Sequence, residues 1–203
     1  VKVITVGNPC NTNALIACAN APSIPPHQFT AMTRLDQNRA VGQMADRAGV
    51  PASKIRDVFI WGNHANTMYP DPRFATVDGK NAMDVFDEEW LQGSFLGTVS
   101  TRGKAIIEAR GASSAASAAS AAVDHMRDWW QGSNGRIVSM ALPSKGWYGV
   151  PEGLVFSFPC RCENGEVKVV EDLPIDDFAQ AKIDENIAAL MEERDAVSEL
   201  LND

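Results

Sequence analysis

Apolar and polar positions divide this chain into strands at the front, a helical middle, a second group of strands and one terminal helix. Val1-Lys2-Val3-Ile4-Thr5-Val6 is an almost unbroken apolar run, the pattern of a fully buried strand in a parallel sheet, and it ends in the turn Gly7-Asn8-Pro9. A short helix through Ala14–Cys18 follows, broken by Pro22, Pro25 and Pro26. The next helix can be capped by Asp36, carries Ala40, Val41, Met44, Ala45 and Ala48, and stops at Gly49. Lys54–Trp61 reads as a second strand of parallel type, and Thr67–Asp78 as a hairpin or an irregular strand pair.

From Asp87 to Gln131 the pattern is helical, in two or three pieces with breaks at Gly103 and Gly111. The tract Gly111–Ala122 is almost wholly Ala and Ser, which lets a helix approach a neighbour closely, so it is expected to be a tightly packed helix. Strands follow near Arg136–Leu142, Leu154–Arg161 and Val167–Val170, with turns at Gly146, Gly149-Val150-Pro151 and Asn164-Gly165. The final helix, about Asp176–Leu201, sets Ile183, Ile187, Leu190, Met191, Val197 and Leu201 at helical spacing with charges between them. Two parallel-type strands, then helices, then an antiparallel group argue for α+β built onto the end of a doubly wound sheet.

Composition narrows the function classes. At 203 residues and 45% hydrophobic, the chain can bury a core of its own. A net charge of −8 offers no basic stripe to replace phosphate counterions, which argues against nucleic acid. No apolar run is long enough to cross a bilayer, and no cationic-plus-apolar signal opens the chain. Four cysteines are too few for a disulfide framework at this length, so a reduced, cytoplasmic setting is expected. Cys160 and Cys162 share a strand face, but without a second nearby pair they read as thiols and not as a metal site.

The candidate chemistry starts at Ile60-Trp61-Gly62-Asn63-His64, where an imidazole follows a short apolar run and stands at a strand mouth. Asp36 and Arg39 lie three residues apart on one helix face. An imidazole, a carboxylate to orient it and a guanidinium fork make a proton-transfer site for a small carboxylic acid. Each residue also has a purely structural reading. His64 could close a strand, Asp36 could cap its helix, Arg39 could be a solvated helix residue and Asn8 could close a turn. Ser113 and Ser114 could be packing residues. His27, in a Pro-rich loop, and His125, among polar helix residues, both read as solvated.

Taken together, Asn8-Pro9-Cys10-Asn11-Thr12-Asn13, Thr33-Arg34-Leu35-Asp36-Gln37-Asn38-Arg39-Ala40, Trp61-Gly62-Asn63-His64 and Ser113-Ser114-Ala115-Ala116 resemble malate dehydrogenase of the cytosolic and chloroplast type, within the lactate/malate dehydrogenase superfamily. The resemblance covers nearly the whole chain. It implies the last strand or strands of a Rossmann-type parallel sheet (1–20, the end of the dinucleotide-binding domain) followed by a mixed α+β catalytic domain (21–203). By the same resemblance His64 is the general acid/base, Asp36 orients its ring, and Arg39 holds the substrate carboxylate. Asn8 bonds the reacting oxygen, Ser113 lines the substrate site, and Val6, Gly7 and Asn8 meet the cofactor.

The implied substrates are malate and oxaloacetate, the cofactor is NAD with NADP open, and the assembly is a homodimer. No Gly-x-Gly-x-x-Gly occurs in the 203 residues. The chain is therefore expected to be the back part of a longer protein, lacking most of the cofactor site and inactive alone. Two alternatives stand beside this reading: a non-catalytic dimerisation fragment, and a lactate-type 2-hydroxy acid dehydrogenase.

Overall fold

The computed structural model describes residues 1–201. The elements in chain order are β1 (Val3–Thr5), α1 (Cys10–Ala19), β2 (Phe29–Ala31), α2 (Arg34–Ala48), β3 (Ile55–Arg56), β4 (Phe59–Trp61), β5 (Tyr69–Asp71), β6 (Thr76–Val77), β7 (Lys80–Asn81), α3 (Ala82–Val85), α4 (Glu88–Trp90), a π-helical turn at Leu91–Phe95, α5 (Leu96–Arg110), α6 (Ala115–Gln131), β8 (Val138–Pro143), β9 (Val155–Glu163), β10 (Glu166–Val169) and α7 (Asp177–Ala196).

The main sheet has five strands in the order β1-β2-β8-β9-β10. Its front pair is parallel, with Val3 opposite Phe29, which is why a crossover segment containing α1 must lie between them. β2 then meets β8 antiparallel, and β8 and β9 form a long ladder from Val138–Cys160 to Pro143–Val155. A parallel edge thus continues into an antiparallel meander, the mixed α/β architecture expected from the order of the elements. From Val155 to Cys160, β9 is buried without alternation, because it is covered on both faces. The larger core joins Phe59, Trp61, Phe156 and Phe158 to Ala179, Ile183 and Leu190 of α7. A second core packs α2 and α5 around Ile60, Met68 and Phe95.

Several expectations change. The parallel partner of β1 is the three-residue β2, which is hidden between two proline-rich turns and a helix start; Lys54–Trp61 is not a parallel strand. That segment is cut in two at Asp57, which adopts a left-handed φ of 58° while its carboxylate accepts the Ile137 N–H at 2.9 Å. β5 and β6 do not pair with each other: β5 lies on β4, and β6 lies between β3 and β7. β1 is only half buried, having one neighbour in the sheet.

α5 runs unbroken through Gly103 and ends at Gly111, whose φ of 70° closes the helix. The Ala/Ser tract packs along one edge only. Ala118, Ala121 and Ala122 meet Met32 and Leu35, while most of its other residues face solvent. The terminal helix stops at Ala196 and continues as a 3-10 turn to Leu200. Its start is fixed by Asp176, which accepts the Ala179 N–H at 2.8 Å and receives Arg73 at 3.0 Å.

Candidate active site

β4 delivers the imidazole. Phe59, Ile60 and Trp61 are all fully buried, and the chain leaves the strand through Gly62, which exchanges two backbone hydrogen bonds with Ser157 of β9 (3.1 and 2.9 Å). His64 follows two residues later with its side chain 14% exposed. Its backbone N–H donates to Asn11 Oδ1 at 3.0 Å, so α1, which begins just beyond Asn8, touches the histidine loop directly.

α2 delivers the acid and the guanidinium. The first residues of this helix are welded to the strands beneath by buried side chains. Thr33 Oγ1 lies 2.7 Å from Ser157 Oγ, and that hydroxyl donates to the Ile60 carbonyl at 2.8 Å. Gln37 donates to the carbonyls of Val58 and Ile137 at 2.9 and 3.1 Å and accepts the Ser139 N–H at 2.8 Å. Asp36 stands between these two anchors. It is not the helix cap, because the helix already starts at Arg34 and Thr33 occupies the cap position.

The Asp36 carboxylate is fully buried and has two partners. One oxygen is in short contact with His64 Nδ1, and the other receives Arg39 Nη1 at 3.1 Å. Burial lowers the pKa of the imidazole. The hydrogen bond and charge of Asp36 raise it by more, Arg39 subtracts a little, and the net value lies above the ordinary 6.5. With Nδ1 committed to Asp36, Nε2 remains to exchange a proton with a bound molecule. The Arg39 Nε is buried and has no hydrogen-bond partner among the described residues. Gly103 of α5 lies against this guanidinium, where a Cβ would stand 3.5 Å from Nη2. The glycine that sequence reasoning took for a helix break therefore leaves room beside an arginine.

The remaining candidates sit apart from this cluster. Val6, Gly7 and Asn8 are exposed at the carboxyl end of β1, next to the Asn11 that bonds His64. Ser113 stands exposed in the link between α5 and α6 and makes no hydrogen bond to the trio. His125, expected to be solvated, is instead fully buried against Thr30, whose hydroxyl lies 3.0 Å from its Nε2. Of its polar helix neighbours, Asp128 is buried with it, while Asp124 and Arg127 pair with each other on the helix surface. Sequence reasoning missed the supports Asn11, Thr33, Gln37 and Ser157. Asn11, Thr33 and Gln37 stand inside the quoted motifs, which was the available signal, whereas Ser157 in β9 carries none.

The sequence profile of the lactate/malate dehydrogenase alpha/beta C-terminal domain matches residues 33–201. The chain belongs to the lactate/malate dehydrogenase family. Among solved structures, this family member is similar to malate dehydrogenase from Naegleria fowleri, at 48% identity and a TM-score of 0.94 over 99% of this chain and 62% of that one. It is also similar to Trichomonas vaginalis lactate dehydrogenase in complex with NADH and oxamate, at 36% identity and a TM-score of 0.94 over 99% of this chain and 63% of that one. Malate dehydrogenase from Salinibacter ruber, at 24% identity and a TM-score of 0.83 over 98% of this chain and 64% of that one, shares the fold. The chain spans less than two thirds of the length of each of these relatives.

Proposed function

We propose that this chain supplies proton transfer and carboxylate binding for the reversible interconversion of (S)-malate and oxaloacetate with NAD. The observation that carries this reading is the buried Asp36 carboxylate, shared between His64 and Arg39. His64 Nε2 takes the hydroxyl proton of malate, and the imidazolium that forms is held by Asp36. In the reverse direction the imidazolium returns the proton to the oxaloacetate carbonyl oxygen. Arg39 binds the carboxylate next to the reacting carbon through its free N–H groups, a planar two-point contact. A nicotinamide cofactor held at the end of β1 would supply the hydride acceptor or donor.

The residues at the end of β1 fit such a cofactor. Val6, Gly7 and Asn8 expose backbone at the carboxyl end of a parallel strand, and nothing lies within 4 Å of where a Cβ on Gly7 would be. In this reading residues 1–20 end the dinucleotide-binding domain and 21–203 form the catalytic domain. The protein acts as a homodimer in the cytoplasm. The similarity to Naegleria malate dehydrogenase supports malate over other 2-hydroxy acids. The cytosolic and chloroplast subtype is the version of this reading that the Gly62-Asn63-His64 motif supports.

A second reading, a lactate dehydrogenase, is favoured by the 36% identity to the Trichomonas enzyme. NADH oxidation by the full-length protein, with oxaloacetate and pyruvate in parallel and NADPH as alternative donor, decides between them. Turnover of oxaloacetate at least about 100-fold better than pyruvate, expressed as kcat/KM, supports malate. Preference for pyruvate sinks it in favour of lactate, and no turnover of either sinks the enzyme reading.

A further inference from the structure

The loop Gly62–Thr67 that carries His64 is neither helix nor strand, and side chains hold its backbone. Asn11 Nδ2 donates to the Gly62 carbonyl at 3.1 Å, and its Oδ1 accepts the His64 N–H at 3.0 Å. The other clamp comes from α7. Asn186 Oδ1 accepts the Asn63 N–H at 2.9 Å, and its Nδ2 donates to the Thr67 carbonyl at 2.6 Å, closing the loop from both ends. One turn of backbone is tied in as well, through the Lys182 carbonyl at 2.9 Å. Glu193 then receives Asn63 Nδ2 at 2.7 Å and the Thr12 hydroxyl, joining the histidine loop to α1.

The choice of residues argues for more than docking. Ala179, Ile183, Asn186, Leu190 and Glu193 recur at helical spacing on one face of α7, and the three apolar members already sit in the core. Asp176 and Arg73 fix the start of the same helix. An asparagine with no exposed surface in that stripe costs desolvation that an apolar residue would avoid, and every polar atom of it is spent on or beside the loop. Its side chain also fills the space that a side chain at position 62 would need: a Cβ on Gly62 would stand 2.1 Å from Asn186 Oδ1.

We propose that Asn186 and Glu193 are positioning residues, holding the His64 ring against Asp36 from a helix more than a hundred residues away in sequence. The inference rests on His64 as the proton carrier. Backbone displacement at Asn63 or His64 swings the imidazole, and a shift of about 1 Å at a reacting group is enough to cost about 100-fold in rate.

The test compares Glu193→Gln and Asn186→Ala with wild type and His64→Asn in the full-length protein. It follows kcat for oxaloacetate, NADH affinity, melting temperature and the His64 titration by NMR. Glu193→Gln, at a half-buried position, is expected to remain folded and to lower kcat about 3- to 10-fold. Asn186→Ala is expected to lower it about 10- to 100-fold. In both, NADH affinity stays at the wild-type value. The His64 midpoint moves down towards 6.5, and the pH profile of kcat/KM moves with it.

A folded Glu193→Gln with wild-type kcat and an unmoved His64 midpoint overturns the proposal, whether or not Asn186→Ala folds. A His64→Asn variant with normal kcat overturns instead the reading of His64 as proton carrier. The NMR midpoints report on ring placement independently of that outcome.

Discussion

His64 and His125 each keep company with an aspartate and an arginine, and the two groups behave in opposite ways. Around His64 the carboxylate is shared: Asp36 faces the ring with one oxygen and Arg39 with the other. Around His125 the carboxylate is fully spent. Asp128 binds Arg34 at 2.6 Å and Arg136 at 2.9 Å, leaving His125 with the Thr30 hydroxyl and a buried Nδ1 that has no partner among the described residues. Burial, helped by the Arg34 charge, pushes the His125 pKa down to about 3, whereas Asp36 carries that of His64 above 6.5. The same three residue types leave an imidazole with a raised pKa in one place and a buried neutral ring in the other. What separates them is which partner reaches the imidazole and whether one nitrogen stays available.

The sharpest way to break this comparison is to remove the imidazoles in turn. His64→Asn in the full-length protein should lower kcat about 1,000-fold or more while NADH affinity is kept. Retention of more than about a tenth of kcat would put His64 on a level with His125. His125→Gln, in contrast, should leave kcat within about threefold and change acid stability instead. A ring whose folded pKa lies below its unfolded value resists charging, so the native state loses stability as pH falls from 6.5 towards 3. The full loss is about 3 to 5 kcal/mol. Urea melts at pH 7 and pH 4.5 should show a smaller drop for His125→Gln than for wild type.

His64 has the opposite sign. Its raised pKa adds stability below 6.5, and that contribution disappears as pH rises through the folded value. His64→Asn should therefore flatten the alkaline side of the stability profile, and a steeper alkaline loss in the variant would refute the pairing with Asp36.

The arginines extend the contrast. Arg39→Lys keeps the charge and loses the planar fork, so KM for oxaloacetate should rise about 10- to 100-fold with little change in melting temperature. An unchanged KM would leave Arg39 a structural partner of Asp36, as Arg34 is of Asp128. The smallest expected effect is at Gly103. Its Cβ site lies at ordinary contact distance from Arg39, so Gly103→Ala should stabilise α5 by about 0.5 to 1 kcal/mol and move KM less than threefold. Thermal melts and KM measured on the same preparation check both halves.

Much of this was legible in the sequence, and the failures have definite causes. Long periodic segments such as α2 and α7 are read correctly because one helix face must be apolar. β2 is missed because three residues between a proline-rich turn and a helix start carry no period. The cut at Asp57 is invisible because it depends on an acceptor for Ile137, far along the chain. His64, Asp36 and Arg39 were singled out from local patterns and a resemblance, and the structure places them together. The environment of His125 could not be read, since its neighbours on α6 are polar and only tertiary packing buries it. Asn186 looks like an ordinary surface residue in a charged helix until its partners at Asn63 and Thr67 are seen.

The grip of α7 on the histidine loop also bears on the order in which this protein comes to exist. Asp36 and His64 are made within 28 residues of one another, whereas Asn186 emerges 119 residues after the Thr67 carbonyl it binds. During synthesis, the ring and its carboxylate can meet long before the helix that steadies them leaves the ribosome. Closing that span is one of the non-local steps of assembly, and such steps form more slowly than local contacts. Catalytic competence should accordingly lag behind the appearance of helical signal in refolding, and a chain stopped short of Asn186 should collapse readily yet hold its histidine loosely.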